Sequence, residues 1–327
     1  MISISEIRER ENKIIVLGFH EPIIQSILDF DYLSGKKESS VVGMVTGRNG
    51  FDKLFFGRQE ILVPTYPDPH GLTGKLEHGD TNSNFWFLNL LSGRRTLSST
   101  LDLQKIDYIG GALFAENVPE LHSLQIISAV HRNTGTPENG NTEKLIVGPA
   151  SVGLLVPGHM KLGPIGGITP TQIIEGKITS PGHVAVFSAS GGMTNELMSI
   201  ATQAGHKLSF ALSFGGDRFP ILSPRDAFLL AESDPQTKSV MYYGELGGED
   251  EYELVKLKEE GLFTKQVVAH IAGTVASLFP ESPQFGHAKA KADKERTTAH
   301  AKRKALKSAG FAVSNSFSEF IDLVRKI

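Results

Sequence analysis

The chain has 327 residues, no cysteine and a formal net charge of -3. At roughly 100–200 residues per domain, this length accommodates two domains. With 40% hydrophobic and 21% charged residues, the composition excludes a disordered chain, a collagen-like chain and a small disulfide scaffold. Lack of cysteine excludes disulfides, Fe–S clusters, zinc ribbons and a thiol nucleophile. A pI of about 6.4 gives no electrostatic case for a nucleic-acid binder.

The N-terminus, MISISEIRERENK, has no apolar core followed by a small-residue cleavage site, so no signal peptide is expected. No window approaches the roughly 18 apolar residues of a membrane span. A cytoplasmic location with no membrane or nucleic-acid partner is the expectation.

Strand-like and helix-like runs alternate. KIIVLG from Lys13 reads as a strand and the Ile23–Tyr32 stretch as a helix. SVVGMV from Ser40, NFWFLNL from Asn84, IDYIGGALF from Ile106 and KLIVG from Lys144 read as further strands. Val118–His131 reads as a helix with Leu121, Leu124, Ile126, Ile127 and Val130 on its apolar side. The segments 65–82 and GTPENGN from Gly135 read as surface loops. A Gly/Pro-rich stretch, residues 148–170, has no period and marks a boundary. Beyond it come strands at HVAVFSA (His183), KLSFALSF (Lys207), SVMYYGE (Ser239), QVVAHIAG (Gln266) and FAVS (Phe311). Helices are expected at Gly192–Ala204, Arg225–Ser233, Glu249–Glu259, Lys291–Ala309 and Phe317–Ile327. Apolar strands alternating with helices imply parallel sheets covered on both faces. The fold class is therefore α/β, with two tandem doubly wound domains: residues 1–150, a connector at 151–175, and 176–327.

There is no G-x-x-x-x-G-K-[ST] and no G-x-G-x-x-G after the first strand, so the standard nucleotide signatures are missing. The first strand–turn–helix, LGFHEP, can still aim backbone N–H groups at an anion. Four further segments fall at expected strand ends, where open parallel sheets bind ligands. FSASGGMTNE places Ser188, Ser190, Gly191 and Gly192 before a helix; it suits an anion or a plain serine cap. SFGGDRFP places Gly215, Gly216 and Arg218 there; Arg218 could fork onto a carboxylate or phosphate, or form a surface ion pair. YGELGGEDE puts Glu245 between glycines, able to orient an imidazole or to sit as a solvated acid. PQFGHAKAKADKE puts His287 after Gly286 on a loop, and a neutral imidazole is a competent phosphoryl acceptor. The run Lys289, Lys291, Lys294, Arg296, Lys302, Arg303, Lys304 and Lys307 reads as the solvated face of the next helix. The histidines show no HExxH spacing, so no metal site is read. Nor is SASGG a G-x-S-x-G elbow, which argues against a serine hydrolase.

Taken together, SASGGMTNEL, FGGDRFP, GELGG and FGHA, with ILDFDY, EILVP, AENVPE and GPASVG upstream, resemble the succinyl-CoA synthetase α-subunit family. Within it they are closer to the matching module of ATP-citrate lyase and citryl-CoA synthetase. The resemblance covers nearly the whole chain, thinning at about residues 65–105.

The resemblance implies a Rossmann-like CoA-binding domain followed by a flavodoxin-like ligase domain. It implies that ATP phosphorylates His287, that Glu245 orients the ring, and that the phosphoryl group passes to a substrate carboxylate before CoA displaces it. Ser188, Ser190, Gly191, Gly192, Gly215, Gly216, Arg218 and Gly286 would hold phosphate or substrate. Gly18, Phe19, His20, Glu116 and Pro149 would hold CoA. ATP and Mg2+ would be bound mainly by a separate ATP-grasp β-type subunit, in a hetero- or homo-oligomer. Arg218, LDFDY and FGHA favour citrate over succinate. The alternatives left open are a succinyl-CoA synthetase α subunit and a non-catalytic CoA-binding regulator. Departures from the family pattern are Ala189 for an arginine, Lys289 and Ile221 for glycines, and AENVP for AEGIP. Lys289, close to His287 in sequence, could offset the lost arginine; an altered substrate or a reduced activity fits the departures equally well.

Overall fold

A computed structural model describes residues 1–73, 83–103, 106–132 and 144–327. The first unit runs α1 (Ile4–Glu9), β1 (Glu11–Leu17), α2 (Glu21–Leu33), β2 (Val41–Val45), β3 (Gly50–Phe56) and β4 (Gln59–Tyr66). It continues α3 (His70–Thr73), β5 (Ser83–Asn89), α4 (Gly93–Asp102), β6 (Gly110–Leu113), α5 (Glu120–Arg132) and β7 (Leu145–Val147). Its sheet has the order β3-β4-β2-β1-β5-β6-β7, parallel except for the β3–β4 hairpin. The order reverses about β1, so the crevice beyond β1 and β5 is the ligand-binding position of such a sheet.

The second unit runs β8 (Leu154–Val156), β9 (Met160–Leu162), α6 (Pro170–Glu175), β10 (Val184–Ser188), α7 (Gly191–Gln203), β11 (Leu208–Ser213) and α8 (Pro224–Ser233). It continues β12 (Ser239–Gly244), α9 (Asp250–Glu259), β13 (Gln266–Ile271), α10 (Ala299–Ser308), β14 (Ala312–Val313) and α11 (Phe317–Val324). The sheet order is β14-β13-β12-β10-β11-β8-β9. Without β8 and β9 this is the flavodoxin-like 2-1-3-4-5 order, with its switch point between β10 and β12. Every residue of β10 and β11 is buried, as a sheet covered on both faces requires.

Several elements depart from the sequence expectation. Residues 151–175 are more than a connector. The β8–β9 hairpin lies there and extends the second sheet antiparallel to β11, through Leu154 and Leu155. The β3–β4 hairpin was not anticipated: Leu54 and Val63 face the core, but Phe51, Phe55 and Leu62 face solvent and blur the alternation. Polar α4 was missed for a related reason, since it buries Thr96 and Thr100 instead of an apolar stripe. The strand expected from Ile106 begins only at Gly110. On α5, Ile126 and Val130 are buried but Leu121 and Leu124 are exposed. The long helix expected from Lys291 starts at Ala299, where Thr298 caps it by accepting from the Ala301 N–H. A 3-10 turn, Glu295–Thr297, precedes it. The Gly135 insertion and residues 74–82 of the expected loop lie outside the described residues.

Backbone bonds join the units. Gly148 N–H donates to Phe214 O at 2.9 Å, Ile221 N–H to Gly148 O at 2.9 Å and Gly216 N–H to Ala150 O at 3.2 Å. On the other side, Phe30 of α2 packs in one apolar cluster with Leu155, Ile165 and Ile173. The C-terminal ends of β6 and β11 thereby face each other, and the space between them becomes a cleft.

Candidate active site

The cleft holds about 490 Å³ and takes walls from both units. The first unit supplies Phe114, Glu116 and Asn117, beyond β6, and the segment after it supplies Ala150, Ser151 and Val152. The second supplies Ser190, Gly191 and Gly192 at the start of α7, Gly216 and Asp217 beyond β11, and Gln284, Gly286, His287 and Ala288 on the loop after β13.

His287 and Glu245, 42 residues apart in sequence, meet at the switch point of the second sheet. The ring Nδ1 lies 2.8 Å from Glu245 Oε2. Since carboxylates only accept, Nδ1 carries a proton and donates it, and in the neutral ring the lone pair then sits on Nε2. That ring edge rests on Gly216. A β-carbon there would lie 2.6 Å from Cδ2 and 2.9 Å from Nε2, so a side chain at 216 would displace the imidazole. The Glu245 hydrogen bond raises the imidazole pKa above its ordinary value, and partial burial opposes the rise.

The loop carrying Glu245 is held from below. Lys302 Nζ donates to the Glu245 carbonyl at 2.7 Å and pairs with the Glu251 carboxylate at 2.6 Å. Its side chain is 1% exposed and that of Glu251 2%, so Lys302 is not part of a solvated basic face. Lys289 also turns inward, pairing with Asp250. Burial would lower its ammonium pKa, but the Asp250 charge outweighs that and raises it. Its charge is thereby matched within the second unit and does not stand in for the arginine replaced by Ala189.

At the start of α7, the Ser190 hydroxyl accepts from Met193 N–H at 3.3 Å. The Gly191 and Gly192 N–H groups belong to the first turn, which lacks intrahelical acceptors and carries the positive end of the helix dipole. Ser188 is fully buried and does not line the cleft. Its hydroxyl accepts from Ser190 N–H at 3.1 Å and sets the turn. Gly215 also stays behind the wall, packed on Pro149: a β-carbon there would sit 1.9 Å from the Pro149 oxygen. Pro149 itself follows a cis peptide bond and is not in the cleft lining.

Arg218 does not line the cleft either. It forms an exposed ion pair with Glu120 at 3.3 Å, across the units. Its neighbour Asp217 is the residue that enters, and it accepts from Asn117 N–H at 3.3 Å and Val118 N–H at 3.0 Å. Gly18, Phe19 and His20 lie apart from this cleft, in the β1–α2 turn. There Gly18 takes φ +89° and donates to Val45 O at 2.8 Å, Phe19 is exposed, and His20 opens α2 without a side-chain cap. Asp217 and Glu251 were missed in the sequence, and Lys302 was read there as solvent-facing. Asp217 sits in the GGD of a motif read for its arginine, and nothing local marks the other two as partners.

No described lining residue of the cleft is Lys or Arg, while Glu116 and Asp217 are acidic. An anion entering it meets the α7 N-terminus and the protonatable ring of His287. Among the described residues no helix is long and apolar enough to cross a membrane.

Residues 187–312 match the CoA-ligase family. The chain is 37% identical over 314 residues to ATP-citrate synthase beta chain protein 1 of Oryza sativa subsp. japonica, covering 95% of this chain and 49% of that protein. It is 34% identical over 320 residues to ATP-citrate synthase of Homo sapiens, covering 97% of this chain and 28% of that one. The structure of ATP citrate lyase from Methanothrix soehngenii in complex with citrate and coenzyme A superposes with a TM-score of 0.89 at 32% identity, covering 98% of this chain and 50% of that chain. A dinucleotide-forming acetyl-coenzyme A synthetase 1 from Ca. Korarchaeum cryptofilum shares the fold, at a TM-score of 0.67 and 15% identity. The chain therefore spans half or less of the length of these ATP-citrate synthase relatives, and within that span it carries the CoA-ligase module of the ATP-citrate synthase family.

Proposed function

We propose that the chain forms citryl-CoA from citrate, CoA and ATP as the phosphohistidine-bearing part of an acid–CoA ligase. The observation that carries this reading is the His287–Glu245 pair, set at a sheet switch point and opening into a cleft walled by both units. In the first step His287 Nε2 attacks the γ-phosphorus of ATP; an N–P bond forms and the bond to ADP breaks. A citrate carboxylate oxygen then attacks phosphorus, the N–P bond breaks, and an acyl phosphate forms. Finally the CoA sulfur attacks the carbonyl carbon and phosphate leaves. Glu245 keeps the Nδ1 proton in place throughout, and the first turn of α7 would hold the transferred phosphoryl group.

In this reading residues 1–150 bind CoA and 176–327 carry the phosphoryl chemistry, with the 151–175 hairpin built into the latter's sheet. The β1–α2 turn suits CoA phosphates. It lies at the first sheet's crevice, and His20 leaves the α2 N-terminus without a side-chain cap. ATP and Mg2+ belong to an ATP-grasp partner, which also supplies the cations that the cleft lining lacks. The carboxylic acid and CoA are the small-molecule partners, and we place the reaction in the cytoplasm, where ATP and CoA are present.

The test is acid-labile label transferred from γ-labelled ATP with an ATP-grasp subunit present. Label in the wild type, its loss in His287→Asn and its discharge by citrate plus CoA are expected. Label that survives in His287→Asn would overturn the scheme, and discharge by succinate but not citrate would move the chain to the succinyl-CoA synthetase reading.

A further inference from the structure

The cleft is open between two units, and the Asp217 side chain ties its two lips together. Asp217 follows β11 of the second unit. Its Oδ1 accepts from Asn117 N–H at 3.3 Å and its Oδ2 from Val118 N–H at 3.0 Å. Both donors belong to the first-unit loop between β6 and α5. The same loop carries Glu116, which lines the cleft with Asp217 and His287. Asn117 adopts φ +57°, a left-handed conformation that costs a non-glycine residue energy and persists where the surroundings impose it. Two N–H groups converging on one carboxylate are such an imposition. The adjacent Arg218–Glu120 pair joins the same two elements, but with both side chains more than half exposed it contributes little.

We propose that Asp217 is a positioning residue that clasps the Glu116–Val118 loop over His287, so that CoA, held by the first unit, meets the acyl group formed on the second. This rests on the citryl-CoA reading above. Phosphorylation of His287 uses groups of the second unit, namely the ring, Glu245 and the α7 N-terminus, together with the partner's ATP. Transfer to CoA is the step that needs both units in register. Asp217 therefore acts on the second half-reaction and leaves the first alone.

Asp217→Asn tests this. The substitution keeps the size but turns one of two acceptors into a donor facing an N–H. The protein is combined with an ATP-grasp subunit, labelled from γ-labelled ATP, and then given citrate and CoA. Labelling within about twofold of wild type is expected, with citryl-CoA-forming discharge at least tenfold slower. Amide exchange at Asn117 and Val118 should quicken by a similar factor, while the thermal midpoint stays near that of wild type. A merely structural role would lower the midpoint and both half-reactions together. That outcome, loss of labelling, or discharge at the wild-type rate would each overturn the proposal. Failure of the reading beneath it is separately visible, because the wild type itself would then take no label or release it without regard to CoA.

Discussion

At His287 the competing terms have a sign. Its hydrogen bond to Glu245 favours the imidazolium, and partial burial disfavours it; the first wins and the pKa rises. A phosphoryl acceptor must be neutral at Nε2, so labelling should climb with pH through a midpoint above the ordinary histidine value of about 6.5. Glu245→Gln removes the charge that favours the protonated ring. Its midpoint should shift downward, read from labelling rates between pH 5 and 9; an unmoved midpoint would disconnect the pair from the chemistry. The same shift enters stability. The contribution of the His287 charge is complete below the unfolded pKa and disappears as pH rises through the higher folded one. Backbone matters equally at Gly247. It takes φ +83°, and a β-carbon would sit 1.9 Å from the Lys289 oxygen. Gly247→Ala should cost at least about 1–2 kcal/mol from the left-handed conformation alone, and more from the clash. Gly192→Ala, whose β-carbon would meet nothing nearer than the Ser190 hydroxyl at 4.0 Å, should be near neutral when both variants are compared with wild type by urea titration.

At the scale of elements, α9 and α10 are locked through Lys302 and Glu251. Removing one member of a buried pair leaves an uncompensated charge, at about 3–5 kcal/mol. Lys302→Met should lose about that much in denaturant unfolding, and it should also loosen the Glu245 loop, whose carbonyl Lys302 holds. Adding Glu251→Leu should restore most of the stability but not the loop. These two residues also mark where sequence reading stopped. His287, Glu245 and the Ser190–Gly192 turn were legible because glycine-rich strand ends are local patterns. The Lys302–Glu251 and Asp217–Val118 pairings span 51 and 99 residues, and only the folded sheet order brings them together. Strands β10 to β13 were legible as well, since burial on both faces demands continuous apolar runs, whereas the short β8–β9 hairpin was read as connector. The β3–β4 hairpin, α4 and the true start of α10 were not legible, because solvent-facing apolar residues, buried threonines and a 3-10 turn carry no such periodicity.

The whole molecule depends on how its two units are held, and opposite the cleft a buried lysine bridges them. Lys161 of β9 reaches from the second unit to Ser26 of α2 at 2.7 Å and donates to Gly163 O at 2.8 Å. It is fully buried, and desolvation lowers its pKa to about 7, against the pull of Asp31 and Asp29 on α2. An ordinary lysine in the unfolded chain titrates near 10.4. Between pH 7 and that value the unfolded state binds the extra proton, so stability should rise with pH as the cost of burying an ammonium is relieved. Other groups add their own slopes, and the comparison with Lys161→Met isolates this one. That variant keeps the length, removes the titration and leaves Asp29 and Asp31 in place. It should flatten the rise in unfolding free energy between pH 7 and 9, relative to wild type. In the proposed reading the Gly18–Pro22 turn that opens α2 holds CoA, so the variant should also weaken CoA binding, measured by titration calorimetry. Equal pH slopes in the two proteins would mean that Lys161 stays charged in the folded state and that its burial is sustained by the two aspartates.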